Sequence, residues 1–347
     1  MTDLQSLFDR YQVRLEDFWS RRQSNPRHVR ELHLFGRPVK FCSNDEGVLA
    51  AADLCRPLYS VAPARRDQPF TVQLIVNTMP SDPGPAPDDL VRHIQYTGHG
   101  DWMAMQLGAW GNCQMDLAAG RATALLSTQL AARPDLVHLC ILNTVLTNLF
   151  QASGLAMLHA TCLLRANTAL LLVAPHNGGK STTALHMVMA GYELLSDSQV
   201  YVWHHGHNLQ LMGFPVGRIK LRRDMVAEFP RLQPLLTPEQ IRDETKYSLD
   251  LRQLDPTLVC ENAIEPSAIE LCLLSRSDDG GTHVQPAARE AVMEAVILNS
   301  LHYHTAAVWQ RNLAALEALM GRARWHRLAV GSRVDDMLAA VARLCHD

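Results

Sequence analysis

Apolar and polar positions alternate along this chain in several distinct rhythms, and each rhythm predicts a different element. Between residues 2 and 22, Leu4, Leu7, Phe8, Tyr11, Val13, Leu15, Phe18 and Trp19 recur at helical spacing, and Pro26 breaks the pattern. Glu31 to Ser43 reads as two short strands around Gly36-Arg37-Pro38, Glu46 to Leu58 as a helix, and Phe70 to Asn77 as an alternating strand. Pro80 to Pro87, with four prolines and a glycine, is a loop. Ile94 to Ser127 reads as a run of short strands broken at Gly98-His99-Gly100, Gly111-Asn112 and Gly120. Residues 1–133 therefore predict a smaller α+β domain with antiparallel pairing, and carry no catalytic signature.

From Pro134 onward the pattern changes. Pro134 and Asp135 start a helix over Leu136 to Gln151, which Gly154 ends. Ala169 to Val173 is a continuous apolar run, as a strand buried on both faces requires. A helical pattern follows from Lys180 to Ala190, stopped by Gly191, and Tyr192 to Asp197 is extended. Trp203-His204-His205-Gly206-His207-Asn208 reads as a hairpin turn. Pro230 to Pro238 is a proline-punctuated connector, and Thr237-Pro238-Glu239-Gln240 reads as a helix start with threonine as cap and proline first. Ile269 to Leu274 reads as a buried strand, Ser277 to Gly281 as a turn, and Arg289–His302, Ala306–Met320 and Val334–Cys345 as three helices. Residues 134–347 thus predict an α/β domain, with no internal repeat.

The chemistry concentrates between the apolar run and the helix. Ala174-Pro175-His176-Asn177-Gly178-Gly179-Lys180-Ser181-Thr182 joins strand to helix, the context a phosphate-binding loop requires. Backbone N–H groups at such a turn point at an anion. Lys180 supplies positive charge for β- and γ-phosphates, and the Ser181 hydroxyl is the expected Mg²⁺ ligand. The usual first glycine is Ala174 here. A helix from Lys180 to Ala190 runs about 16 Å away from the turn, and six extended residues return about 20 Å. A parallel strand would so carry Asp197 back to the phosphate end, where a carboxylate can hold Mg²⁺ or take a proton from an attacking hydroxyl.

Leu158-His159-Ala160, Leu170 to Val173, Gly179-Lys180-Ser181-Thr182 and Ala190-Gly191-Tyr192-Glu193-Leu194-Leu195-Ser196-Asp197 together resemble the core of the bacterial HPr kinase/phosphorylase family, and more closely the broader set of HPr-kinase-related proteins. The resemblance covers roughly residues 155–225. It implies a P-loop kinase domain of the HPr-kinase/PEP-carboxykinase type, and an ATP- and Mg²⁺-dependent enzyme that phosphorylates a hydroxyl, usually of serine, on a protein, peptide or small molecule. Lys180 would contact the phosphates, Ser181 and Asp197 the metal. Asp197 would also be the base, and His159 would lie near the phosphates. Residues 174–182 would bind the nucleotide. The chain departs from the family at Ser198, where a second aspartate is usual, at Ala174, His176 and Asn177 in the loop, and in lacking a Glu-Ile-Arg-Gly signature. Gly217-Arg218-Ile219-Lys220-Leu221-Arg222-Arg223 occupies the comparable region. Those departures keep two other readings open: an ATP-binding regulatory module without transferase activity, and a metabolite kinase or carboxykinase-like enzyme of another phosphate-loop family.

Composition narrows the setting. Hydrophobic residues make up 47% and charged residues 19% of the 347, which fits a well-cored globular protein. The net charge of −3 gives no overall field for nucleic acid or anionic membrane. Among local cations, Lys220 and Lys246 are the preferred partners for a γ-phosphate, ahead of Arg218, Arg222 and Arg223. The three histidines of the 203–208 turn lack the cysteine or carboxylate company of a metal site, and Asp278-Asp279 reads as turn chemistry. Eight scattered cysteines form no C-x-x-C and read as buried reduced thiols. With no membrane-length apolar run and no export signal, a cytoplasmic protein is expected, with a phosphoryl acceptor as partner. The resemblance allows for a homo-oligomer.

Overall fold

The computed structural model describes residues 27–65, 67–77, 83–175, 177–241, 244–300 and 305–345. The helix expected at residues 2–22, and His176, lie outside the described residues. Within them the chain is mixed α/β with several sheets. Among the described residues it divides into two compact units: residues 27–56, 64–153 and 305–308, and residues 57–63, 154–300 and 309–345.

The first unit is built on a seven-stranded sheet of β1 (His28–Leu34), β2 (Arg37–Ser43), β3 (Phe70–Asn77), β4 (Gln95–His99), β5 (Trp102–Gln106), β6 (Gly111–Asp116) and β7 (Arg121–Ser127), ordered β1-β2-β3-β7-β6-β5-β4. The expected antiparallel pairing holds toward both edges and is corrected at the centre, where β2–β3 and β3–β7 are parallel. A parallel pair needs a long crossover, and residues 44–69 supply one between β2 and β3. The helix expected from Glu46 to Leu58 is instead a 3₁₀ turn at Gly47–Leu49, one helical turn at Ala50–Asp53 and a 3₁₀ turn at Arg56–Leu58. Pro57 has no N–H with which to extend a helix.

The helix expected from residue 136 forms, as Pro134–Leu136, a π-helical stretch Val137–Leu142 and α1 (Asn143–Ala152). It belongs to the first compact unit, which includes residues 64–153. The reason is packing: Phe150 of α1 meets Phe35 and Phe70 edge-on, with ring centroids 5.1 and 5.3 Å apart.

The second unit is centred on a six-stranded sheet containing β9 (Thr161–Arg165), β10 (Thr168–Val173), β11 (Glu193–Ser196), β17 (Ala268–Arg276), β18 (His283–Pro286) and β19 (Ala323–Val330), ordered β11-β9-β10-β17-β19-β18. β10, β17 and β19 are parallel. Every residue of β10 is buried because both faces are covered. Leu170 and Leu172 enter a core with α2 (Lys180–Met189) and α5 (Val334–Leu344). Ala169, Leu171 and Val173 enter a second core with α3 (Arg289–Leu298) and α4 (Ala306–Arg322).

Two three-stranded sheets complete this unit. One holds β8 (Ala156–Leu158), β12 (Gln199–His205) and β13 (Asn208–Phe214); the hairpin expected around residues 203–208 is β12–β13. The other runs β14-β16-β15, with β14 (Arg218–Arg222), β15 (Thr237–Ile241) and β16 (Glu244–Asp250). Here Thr237-Pro238 opens a strand, not a helix. Among the described residues β15 pairs only with β16, and an edge strand tolerates a proline that cannot donate to a ladder.

Candidate functional site

The turn between β10 and α2 is held by its own backbone. Asn177 and Gly179 have φ of 61° and 90°, and the Gly178 N–H donates to the Pro175 carbonyl at 3.0 Å. A Cβ on Gly178 would lie 2.8 Å from the Ala174 Cβ and 3.0 Å from the Pro175 oxygen, so the turn closes only around glycine. Ala174 is buried and is not among the residues with positive φ, so its methyl fits where the usual loop has glycine. Gly179 is the N-cap of α2 and offers no side chain to its first-turn N–H groups. Space over it is open: a Cβ there would meet nothing within 4 Å.

Lys180 is 7% exposed, and its Nζ donates to the Ala174 carbonyl at 2.7 Å and the Pro175 carbonyl at 3.3 Å. Two of three ammonium donors are thus used within the turn. Burial lowers the Lys180 pKa; Asp197 opposes the shift and Lys246 adds to it.

Asp197 follows β11. That strand is antiparallel to β9, which is antiparallel to β10, so β11 runs in the direction of β10 and ends at the same sheet edge. The return of Asp197 to the turn, expected from chain length, therefore occurs, with β9 inserted between the two strands. The carboxylate is 5% exposed. Thr161 Oγ1 donates to Asp197 Oδ1 at 2.8 Å, the Ser181 hydroxyl donates to the same carboxylate, and the Lys220 N–H approaches Oδ2 at 3.4 Å. Burial nonetheless dominates and pushes the pKa up to about 6, against the opposing pull of Ser181, Thr161, the Lys220 N–H and Lys180.

The β14-β16-β15 sheet supplies the opposite wall. Ile219, Leu221 and Leu249 enter the core shared with α2. The alternate residues Lys220 and Arg222, with Lys246 paired to Arg222, face a cavity of about 240 Å³. His159, Asn177 to Thr182, Asp197 and Ser198 line it too, with Asp224, Met225 and Arg276. Five cationic side chains thus surround two carboxylates, Asp197 and Asp224, in a chain whose net charge is −3. Carboxylates restrain part of that charge. Lys220 meets Glu239 at 2.8 Å, Arg222 meets Asp224 and Glu244 at 3.3 Å each, and Lys246 meets Glu244 at 3.8 Å.

The structure therefore gathers His159, Asn177, Gly178, Gly179, Lys180, Ser181, Thr182, Asp197, Lys220 and Lys246 at one cavity. Ala174 and Pro175 take part through their carbonyls. Arg223 lines a neighbouring cleft with Arg222, Asp224, Glu244 and Thr245. Asp279 accepts from Ser277, the Gly281 N–H and His283, as turn chemistry requires. Among the described residues no group of three or more His, Cys, Asp or Glu side chains is arranged to hold a metal, and no helix is long and apolar enough to cross a membrane. All eight cysteines are unpaired thiols. Sequence reasoning missed Thr161, Asp224 and Arg276. Arg276 alone carried a signal, as the first charged side chain after the apolar run Ile269 to Leu274.

No protein-family model matches this chain, and no curated protein matches it. Among solved structures it is similar to the HPr(Ser) kinase/phosphatase from Coxiella burnetii, with 14% sequence identity and a TM-score of 0.28, over 54% of this chain and 96% of that one.

Proposed function

We propose that the chain is an ATP-dependent kinase that transfers the γ-phosphoryl group to a serine-type hydroxyl on a protein, peptide or small molecule. One observation carries this reading: a buried, hydrogen-bonded carboxylate, Asp197, beside Lys180 and Ser181 at an uncapped helix N-terminus. The α2 N–H groups and Lys180 would bind the triphosphate. Ser181 Oγ and Asp197 form a pair of hard oxygen donors suited to Mg²⁺, which when bound supplies neutralising charge to the phosphates. Asp197 titrates near 6, so at neutral pH it is mostly ionised and able to orient and deprotonate a hydroxyl. The hydroxyl oxygen bonds to phosphorus as the bridging oxygen departs with ADP. Lys220 and Lys246 add positive charge across the cavity. The sequence resemblance to HPr-kinase-related proteins supports the same assignment, including a nucleotide and Mg²⁺.

Calorimetry with Mg·ATP, paired with labelled-phosphate transfer to serine peptides and hydroxylated metabolites, tests the proposal. Magnesium-dependent nucleotide binding is expected, weakened at least tenfold by Lys180→Met (about 1.4 kcal/mol). Asp197→Asn is expected to bind nucleotide and transfer nothing. Absence of magnesium-dependent nucleotide uptake by the parent chain would sink the proposal. Tight binding without transfer to any acceptor would favour a regulatory nucleotide-binding module.

A further inference from the structure

Resting on the kinase reading, we infer that Arg276 is a catalytic residue that donates to the equatorial oxygens of the γ-phosphoryl group during transfer. β10 and β17 are parallel, and Val173, the last residue of β10, lies opposite Leu273. Arg276 is three residues further along, level with the turn that leads to α2. Side chains alternate along β17: Cys272 and Leu274 enter the core shared with α2, and Arg276 continues on that face. It thereby reaches the cavity that Lys180, Ser181 and Asp197 line.

Its pairing state separates it from the other cations. Lys180 donates to two carbonyls of its own turn, and Lys220, Arg222 and Lys246 each meet a carboxylate. Arg276 is exposed, and among the described residues its guanidinium makes no ion pair and no side-chain hydrogen bond. A planar fork of donors at the rim of an anion site, uncommitted to protein carboxylates, matches the geometry of phosphoryl oxygens.

In the step itself, an oxygen lone pair of the acceptor hydroxyl forms the new bond to phosphorus. The bond from phosphorus to the β,γ-bridging oxygen breaks, and its electron pair leaves on ADP. The hydroxyl proton passes to Asp197. Arg276 neither gains nor loses a proton; it stabilises charge on the three equatorial oxygens as they spread.

The test needs no knowledge of the acceptor. Affinities of the parent chain, Arg276→Ala and Arg276→Lys are measured by calorimetry for Mg·ADP and for the Mg complex of the non-hydrolysable imido analogue of ATP. Arg276→Ala is expected to hold Mg·ADP within about twofold of the parent while its preference for the triphosphate falls roughly tenfold, the worth of a charge-assisted hydrogen bond. Arg276→Lys is expected to recover part of that preference. ATP consumption at saturating nucleotide should fall by about a hundredfold in Arg276→Ala. A triphosphate preference unchanged by the substitution, or absent from the parent, overturns the assignment while leaving nucleotide binding standing. A parallel loss of Mg·ADP affinity in Arg276→Ala, with unaltered thermal unfolding, likewise overturns it. Failure of the parent to bind either nucleotide removes the kinase reading itself.

Discussion

Replacing Asp197 by asparagine is expected to stabilise the fold at neutral pH even as, under the proposed function, it would remove phosphoryl transfer. In the folded chain burial raises this carboxyl from 3.8 to about 6. Between those values the folded state binds more protons than the unfolded one, so stability falls as pH rises. The loss is complete above pH 6 and amounts to about 3 kcal/mol, with about 1.6 kcal/mol already lost at pH 5. Asparagine carries no charge to desolvate, and its amide oxygen still accepts from Thr161 or Ser181. The stability of Asp197→Asn relative to the parent should therefore rise by about 1.4 kcal/mol between pH 5 and pH 7.5. Urea unfolding of both chains at pH 5, 6 and 7.5 measures this directly. Any fixed difference in packing or hydrogen bonding drops out of the pH-dependent part, and every other titrating group is common to both chains. A difference that stays level with pH, or narrows toward neutrality, would refute the claim that desolvation governs this carboxylate. It would mean that Lys180 and the hydroxyls compensate the buried charge in full.

Two further substitutions test the scaffold. Gly178→Ala should cost about 2 kcal/mol in urea unfolding, because its Cβ would press on the Ala174 Cβ at 2.8 Å, and the double change with Ala174→Gly should recover part of the loss. Glu270, fully buried in β17, accepts from Arg324 Nε and pairs with His326 Nε2, each at 2.7 Å. Glu270→Ala should destabilise by about 3 kcal/mol, read as a lower urea midpoint, because it strands two partners without their carboxylate.

Much of the site could be read from the chain because its centre is local in sequence. The apolar run of β10, the glycines of the turn and the helical pattern of α2 occupy consecutive residues, and chain geometry alone brings Asp197 back. The walls are not local. Lys220 and Arg222 alternate with Ile219 and Leu221, a strand signature, yet nothing in that spacing says which edge the strand approaches. Thr237-Pro238 carries a helix-start signature that pairing with β16 overrides. The turn-and-helix chemistry of that dipeptide is compatible with an edge strand, and only the partner strand decides between them. Likewise the helix at residues 134–152 shows no composition shift to reveal that Phe150 belongs with Phe35 and Phe70.

The alternation in β14 also explains how a cavity with five cations can form on an acidic protein. Like charges crowded at one rim repel, so their positions must be fixed by something other than their mutual interaction. Here the apolar half of the strand does it. Ile219, Leu221 and Leu249 are fully or nearly fully buried in the core that α2 also enters. The sheet carrying Lys220, Arg222 and Lys246 is thus tied to the helix whose N-terminus carries Lys180 and Ser181. Glu239 and Glu244 then temper the repulsion from outside the cavity lining, at contact distances of 2.8 to 3.8 Å. Exposed pairs of this kind contribute little to stability. Their consequence is electrostatic: under the proposed function, an arriving polyphosphate would compete with partly exposed carboxylates for cations already held in position, rather than gather mobile side chains from solvent.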